Sequence, residues 1–389
     1  MSESAHSNET SGVVWRVPLA DLNYGPEEEE AVRQVVHSRW LTMGSITREF
    51  ERAFADFIGV PHAVALSNAT EALHLACLAL GIGPGDEVIV PSLSFVATAN
   101  AVLYTGADVR FADIVGPHDL TMDPASVVEQ ITPRTRAIMV MHYGGYACDM
   151  PAILEIARQH DLAIIEDAAH APGATLDGKA LGTWGDAGCF SFFSNKNLST
   201  GEGGMLVTAR SDVAETVRTL RSHGMTSLTW DRHRGHAYSY DVVELGYNYR
   251  IDEIRSALGL AQLRKLPAGN ERRRLISRRY REALADTGLA LPFAQARGES
   301  ACHIFPVLLP EGRDRLAFID ALRNDGIQTS IHYPPIHQFS YYRRRYGTIS
   351  LPRTEAIAGR EVTLPLFPTM SDDMIALVVD SVRRALTHM

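Results

Sequence analysis

From residue 87 onward the chain alternates short, mostly apolar runs with longer stretches of helical periodicity. EVIV (87–90) precedes FVATANAVLY (95–104), and DVRFADI (108–114) precedes a polar helical stretch around DPASVVEQI. RAIMVMHY (136–143) precedes MPAILEIARQH (150–160), and LAIIED (162–167) closes the series. Strands that are apolar on both faces and separated by helices predict β-α-β units and a mainly parallel sheet with helices on both sides. After Leu266-Pro267 the pattern changes to a basic helix RRRLISRRYREAL, a strand ACHIFPVLL, a helix RDRLAFIDALRNDG and a strand IQTSIHY. The expected organisation is a loose polar tail over 1–14, a large α/β domain over 15–265 and a smaller C-terminal α+β domain over 266–389.

A length of 389 residues exceeds what a single core usually serves, and 46% apolar with 21% charged residues is ordinary for a soluble protein. The formal charge of -9 argues against non-specific nucleic-acid binding and leaves room for a small anionic ligand. Cys77, Cys148, Cys189 and Cys302 lie far apart without a C-x-x-C pair, which signals neither a zinc site nor a disulfide framework and fits a reducing cytoplasm. No apolar run approaches the ~18 residues of a membrane span.

Several apparent motifs carry no chemistry. GIGPG (81–85) follows a helix and precedes a strand, the wrong order for a phosphate on a helix start, and reads as a helix stop. The arginines of 272–281 interleave with Leu275, Ile276 and Tyr280 at helical spacing, as on a solvated face. Prolines between His332 and His337 prevent the one-face spacing of a metal pair, so no metal is expected. Neither a Walker lysine motif nor a G-x-S-x-G elbow is present.

Three features remain. SNATEALHLACLALG (67–81) pairs Asn68 with Glu71 in a capping pattern and ends at Gly81. Its open first turn is either an ordinary cap or a phosphate seat with the Thr70 hydroxyl as an added donor. Asp167, beside Glu166, ends a strand buried on both faces, where a parallel sheet forms its ligand crevice. Lys196 follows the run CFSFF and precedes a glycine loop, as either a solvated charge or an amine held for chemistry. A phosphate seat, a strand-end carboxylate and a strand-end lysine in that order match the needs of pyridoxal phosphate (PLP): covalent attachment, a charge partner for the ring nitrogen and a phosphate anchor.

At these residues the sequence resembles the DegT/StrS family of nucleotide-sugar aminotransferases, within the fold-type I PLP superfamily. The resemblance runs from RVPLADLNYG and SRWLTMGSITREFERAFADFIGV through SNATEALHLA, IIEDAAHAPGA and SFFSNKNLSTGEGGML to GYNYRIDEIRSALGLAQL. It continues weakly through IHYPPIH and TLPLFP. It implies Lys196 as the Schiff-base lysine, Asp167 as partner of the ring nitrogen, and Ala69 with Thr70, next to Asn68, as the phosphate-binding helix start. It further implies that Ser191 touches the phosphate, that Phe95 stacks on the ring and that His170 lies near the cofactor's phenolic oxygen. Asn248 would reach the phosphate of a neighbouring subunit, making a homodimer with shared active sites. Trp40, His332 and Tyr333 are candidate substrate contacts.

Two positions depart from the family pattern: Ala69 where glycine is frequent, and Ser194-Asn195 in place of a Pro-Thr-like pair. The retained lysine sets the chain apart from the family's sugar dehydrases, which carry histidine there. The expected activity is transfer of an amino group from L-glutamate to a nucleotide-linked keto-deoxysugar, foremost a dTDP-4-keto-6-deoxyhexose at C4. The alternatives are a C3 ketosugar, an inosose or another cyclic ketone, or a PLP-binding regulatory protein without turnover.

Overall fold

Seven strands form the central sheet of the computed structural model, which describes residues 14–226 and 239–387. In chain order they are β1 (His62–Leu66), β2 (Glu87–Pro91), β3 (Asp108–Ala112), β6 (Thr135–Met141), β7 (Ala163–Asp167), β10 (Ala187–Ser191) and β11 (Gly204–Thr208). The hairpin β4 (Ile114–Gly116) with β5 (Asp119–Met122) and the short pair β8 (Thr175–Leu176) with β9 (Lys179–Ala180) lie outside the sheet. The spatial order is β1-β11-β10-β7-β6-β2-β3. Only β11 runs against its neighbours; β10, β7, β6, β2 and β3 pair in parallel. The expected α/β sheet is therefore present.

The apolar runs are continuous because both faces of the sheet are covered. In β6, Ile138 and Val140 enter one apolar cluster while Ala137 and Met139 enter the other, the period-2 alternation of a strand buried on both sides. Parallel pairing brings the carboxyl ends of β2, β6, β7 and β10 to one edge.

Helix α1 (Pro26–Ser38) and helix α2 (Ser45–Ile58) pack against α8 (Glu253–Leu284), the longest helix at 32 residues. Glu253 closes this corner: its buried carboxylate accepts the N–H groups of Gly44, Ile46 and Thr47 at 2.8–2.9 Å, at the start of α2. Gly259 allows α8 to approach Phe50; an added Cβ would sit 2.5 Å from that ring. Further along, Ile276, Tyr280 and Leu284 belong to a third core in the C-terminal lobe. There β12 (Phe305–Leu308) pairs antiparallel with β13 (Glu361–Leu364), beside the helices Arg315–Asn324 and Asp372–Thr387.

Three expectations change. The 265/266 boundary falls inside α8, which continues through Pro267 because packing on both lobes outweighs the ~3 kcal/mol cost of an interior proline. Residues near the N-terminus, expected in the large domain, join the C-terminal lobe: Val17 is buried there and bridges to Ile327. IQTSIHY makes single bridges only, at Ile327 and Ser330, because the His332 N–H is taken by the Glu361 carboxylate rather than by a strand. The expected tail lies outside the described residues apart from Val14. The arginine run behaves as a charged face: Arg272 and Arg279 pair with Asp372, and Arg274 and Arg278 with Glu271, while Arg273 is buried.

Candidate active site

A cleft of about 1040 Å³ opens at the carboxyl edge of the sheet. Its walls include Asn68, Ala69, Thr70, Phe95, Asp167, His170, Ser191, Lys196, His332 and Tyr333, ten of the twelve residues singled out from sequence. Trp40 and Asn248 are not among its walls. The Trp40 indole lies against Gly44, and Asn248 bridges to Ser222. Glu166 points the other way along β7, where it accepts the N–H groups of Gly182, Trp184 and Gly185 and bonds His142 Nε2 at 2.9 Å.

The helix start is built as its sequence suggests, with one difference. Asn68 Oδ1 accepts the Glu71 N–H at 2.9 Å, opening α3 (Ala69–Ala79). Glu71 reaches back to Ser67, accepting its N–H at 3.2 Å and its hydroxyl, instead of to the Asn68 amide. As at any helix start, the N–H groups of Ala69 and Thr70 have no intrahelical acceptor. Gly204 on β11 passes so close that an added Cβ would lie 2.4 Å from the Asn68 carbonyl carbon.

Asp167 is buried, and burial raises its carboxyl above the usual range, opposed first by a hydrogen bond from Thr98. Thr98 Oγ1 donates to Oδ2 at 2.7 Å, and the Ala169 N–H donates to Oδ1 at 3.2 Å. Thr98 is held in turn by Ser94, 2.6 Å away. Lys196 is half-buried at the cleft wall, and its crowded surroundings push the ammonium down to about 8, opposed by the Asp167 charge. Its Nζ lies 3.4 Å from Nε2 of the buried His303.

Burial pushes His170 well below the usual imidazole range, which leaves the ring neutral. The Gly144 N–H donates to its Nδ1 at 3.2 Å, so its proton sits on Nε2 and is donated to Tyr333 Oη at 3.0 Å. The Tyr333 hydroxyl proton is thereby left for another acceptor in the cleft. Phe95, 56% exposed, presents its ring to the same space, 6.0 Å from that of Tyr333.

Thr98, His303 and Glu361 were given no role from sequence, whereas Gly204 closes the glycine loop that follows Lys196. The one available signal was a histidine inside the apolar run ACHIFPVLL. No group of three or more histidine, cysteine or acidic residues among the described residues could hold a metal. None of their helices is long and apolar enough to cross a membrane.

The fold is shared with solved aminotransferases. Helicobacter pylori PseC, an aminotransferase of pseudoaminic acid biosynthesis, superposes with a TM-score of 0.90 at 28% identity, covering 96% of this chain and 100% of that one. The Streptococcus pneumoniae protein Spr1654, solved in a PLP form, gives a TM-score of 0.89 at 27% identity over 96% of this chain and 99% of that one. In sequence, the spore coat polysaccharide biosynthesis protein SpsC of Bacillus subtilis is 41% identical over 367 residues, 92% of this chain and 94% of SpsC. Residues 23–383 match the model of the DegT/DnrJ/EryC1/StrS aminotransferase family, and the chain belongs to that family. It is a sugar aminotransferase of a PLP-dependent class.

Proposed function

We propose that the chain transfers an amino group from L-glutamate to a nucleotide-linked keto-deoxysugar, with PLP held in the described cleft and C4 of a dTDP-4-keto-6-deoxyhexose as the favoured position. The observation that carries this reading is the convergence of Lys196, buried Asp167 and the α3 start on one cleft. The residues fit the cofactor: an exposed aromatic face at Phe95, a desolvated carboxylate at Asp167, and a helix start whose close approach to β11 depends on Gly204. When bound, PLP supplies an electron sink that acidifies the carbon bearing the transferred nitrogen.

In this reading Asp167, whose ionised form is favoured by hydrogen bonds from Thr98 and the Ala169 amide against the effect of burial, would pair with the protonated ring nitrogen. Ala69, Thr70 and Ser191 would hold the phosphate, and Phe95 would lie against the ring. Lys196 would hold the cofactor covalently, and its free amine would move a proton at the carbon that bears the transferred nitrogen. An amine titrating near 8 is well placed for that work at neutral pH. His170 orients Tyr333, whose hydroxyl donates to an oxygen of the bound reactants. Asn248, away from this chain's own cleft, serves a neighbouring subunit's phosphate in a homodimer.

Mass-spectrometric screening of the amine-loaded enzyme against nucleotide-linked 4-keto and 3-keto sugars and free cyclic ketones tests the substrate. Amination of a nucleotide-linked 4-ketosugar is expected. Exclusive amination of a free inosose would replace this substrate with the cyclic-ketone alternative. Loss of absorbance from the bound cofactor on adding glutamate separates turnover from a merely regulatory PLP protein.

A further inference from the structure

His303 is absent from the walls of the large cleft, yet its Nε2 faces the Lys196 amine at 3.4 Å. Its other ring nitrogen, Nδ1, lies 3.0 Å from Asn197 Oδ1. The direction of every proton in this chain follows from two main-chain carbonyls, which only accept. Asn270 on α8 donates through Nδ2 to the Pro172 carbonyl at 2.8 Å, so its Oδ1 must face Asn197. Asn197 donates through Nδ2 to that Oδ1 and to the Ala301 carbonyl, both at 2.8 Å, so its own Oδ1 faces His303. The His303 proton therefore resides on Nδ1, and the Nε2 lone pair is turned toward Lys196. Gly173 leaves space for the arrangement, since a Cβ there would lie 2.9 Å from Asn270 Nδ2.

We propose that His303 is a positioning residue for Lys196, with its Nε2 lone pair fixed by the Asn197–Asn270 chain as the docking point of the lysine amine whenever that amine is not covalently engaged. The proposal rests on the assignment of Lys196 as the reacting amine. His303 does not store the proton itself, because burial first, then the neighbouring His170 and Lys196, hold its ring far toward the neutral form. What it supplies is an acceptor that receives an N–H of the ammonium or the amine. It holds Nζ on the side of residues 301–303, while Asp167 attracts it from β7. The charged and titratable groups around the amine are Asp167, His170, His303 and His332, with Arg273 behind His303. Removal of the acceptor leaves the ammonium with less support, so Lys196 should titrate lower.

The test is competitive acetylation of the full-length, cofactor-free chain across a pH series, with modification of Lys196 read by mass spectrometry. His303→Leu is expected to lower the Lys196 titration midpoint by about one unit, a tenfold change in its ionisation equilibrium. His303→Gln, which offers an oxygen at the Nε2 position, is expected to restore most of it. An unchanged midpoint in a folded His303→Leu protein overturns the proposal. Should that variant fail to fold, His303→Asn, which withdraws the acceptor from the Nε2 position, serves the same comparison, and an unchanged midpoint overturns the proposal equally. Because the readout uses no cofactor, it is separable from the test of Lys196 itself: loss of covalent cofactor attachment in Lys196→Arg addresses the assignment, and the titration addresses His303.

Discussion

Replacing Thr98 by valine keeps the shape of the side chain and removes the hydroxyl that donates to Asp167 Oδ2 at 2.7 Å. Thr98 is fully buried, so no solvent takes its place, and the Ala169 N–H at 3.2 Å remains the other donor to the carboxylate. A hydrogen bond to a charged group contributes about 1.5–3 kcal/mol, equivalent to roughly one to two pKa units. Burial already raises the Asp167 carboxyl, and losing a donor to the ionised form raises it further. The carboxylate then becomes protonated at a higher pH, and its pairing with a protonated ring nitrogen is lost sooner as pH falls. In fluorescence titrations of cofactor-free protein with PLP, the pH below which affinity declines should move up by about one to two units. Affinity well above that point should change little. Thr98→Ser should behave as the parent protein. Thr98→Val also strands the Ser94 hydroxyl that now packs 2.6 Å from it, so Ser94→Ala in the valine background separates lost stability from the titration effect. Superimposable affinity curves for a folded Thr98→Val protein would refute the role given to this hydroxyl.

Other substitutions probe the rest of the site. Lys196→Ala is expected to abolish transamination, and turnover at the parental rate would remove the lysine from the mechanism. Asp167→Asn should lose most of its rate while still binding cofactor; undiminished turnover would count against its role beside the ring nitrogen. Gly204→Val drives a side chain into the Asn68 carbonyl and Ala69 amide, 2.4 and 2.7 Å from an added Cβ. It should weaken PLP binding about tenfold or more while sparing phosphate-free pyridoxal, and equal effects on the two ligands would contradict a phosphate seat at this helix. For Glu361, burial pushes the carboxyl up to about 8 from an ordinary 4.5. The folded state therefore keeps a proton that the unfolded state has lost, and stability declines as pH rises from 4.5 toward 8, by up to about 1.4 kcal/mol per pH unit for one proton. Urea denaturation of Glu361→Gln across that window should show a flatter dependence, and curves parallel to the parent protein would show that this carboxyl is not its source.

The large sheet was legible because its strands are apolar on both faces, a signal that does not depend on distant partners. For the same reason Asp167 could be assigned to a strand end, and Asn68 to a helix start, from neighbours in sequence alone. What escaped notice depends on contacts across long chain separations. The β11 reversal is a pairing property, since Gly204–Thr208 has the apolar composition of its parallel neighbours. Pro267 suggested a break because local rules count its missing N–H but cannot count the burial gained by α8 on both lobes. His303 lies 107 residues beyond Lys196, and its orientation is set by Asn197, next to Lys196, and by Asn270 from a further segment. No periodicity encodes such a chain of amides. Trp40, a candidate substrate contact, has its indole beside the backbone turn at Gly44 and does not line this chain's own cleft, a placement its neighbours in sequence do not show.

At about 1.5 Å per residue, the 32-residue helix that threads both lobes is a rod of roughly 48 Å. One end is built into the apolar layer beneath the sheet and the other into the C-terminal core, so neither can melt while the other keeps its share of the rod intact. The polypeptide should accordingly lose its structure in a single cooperative transition, despite having more than one hydrophobic centre.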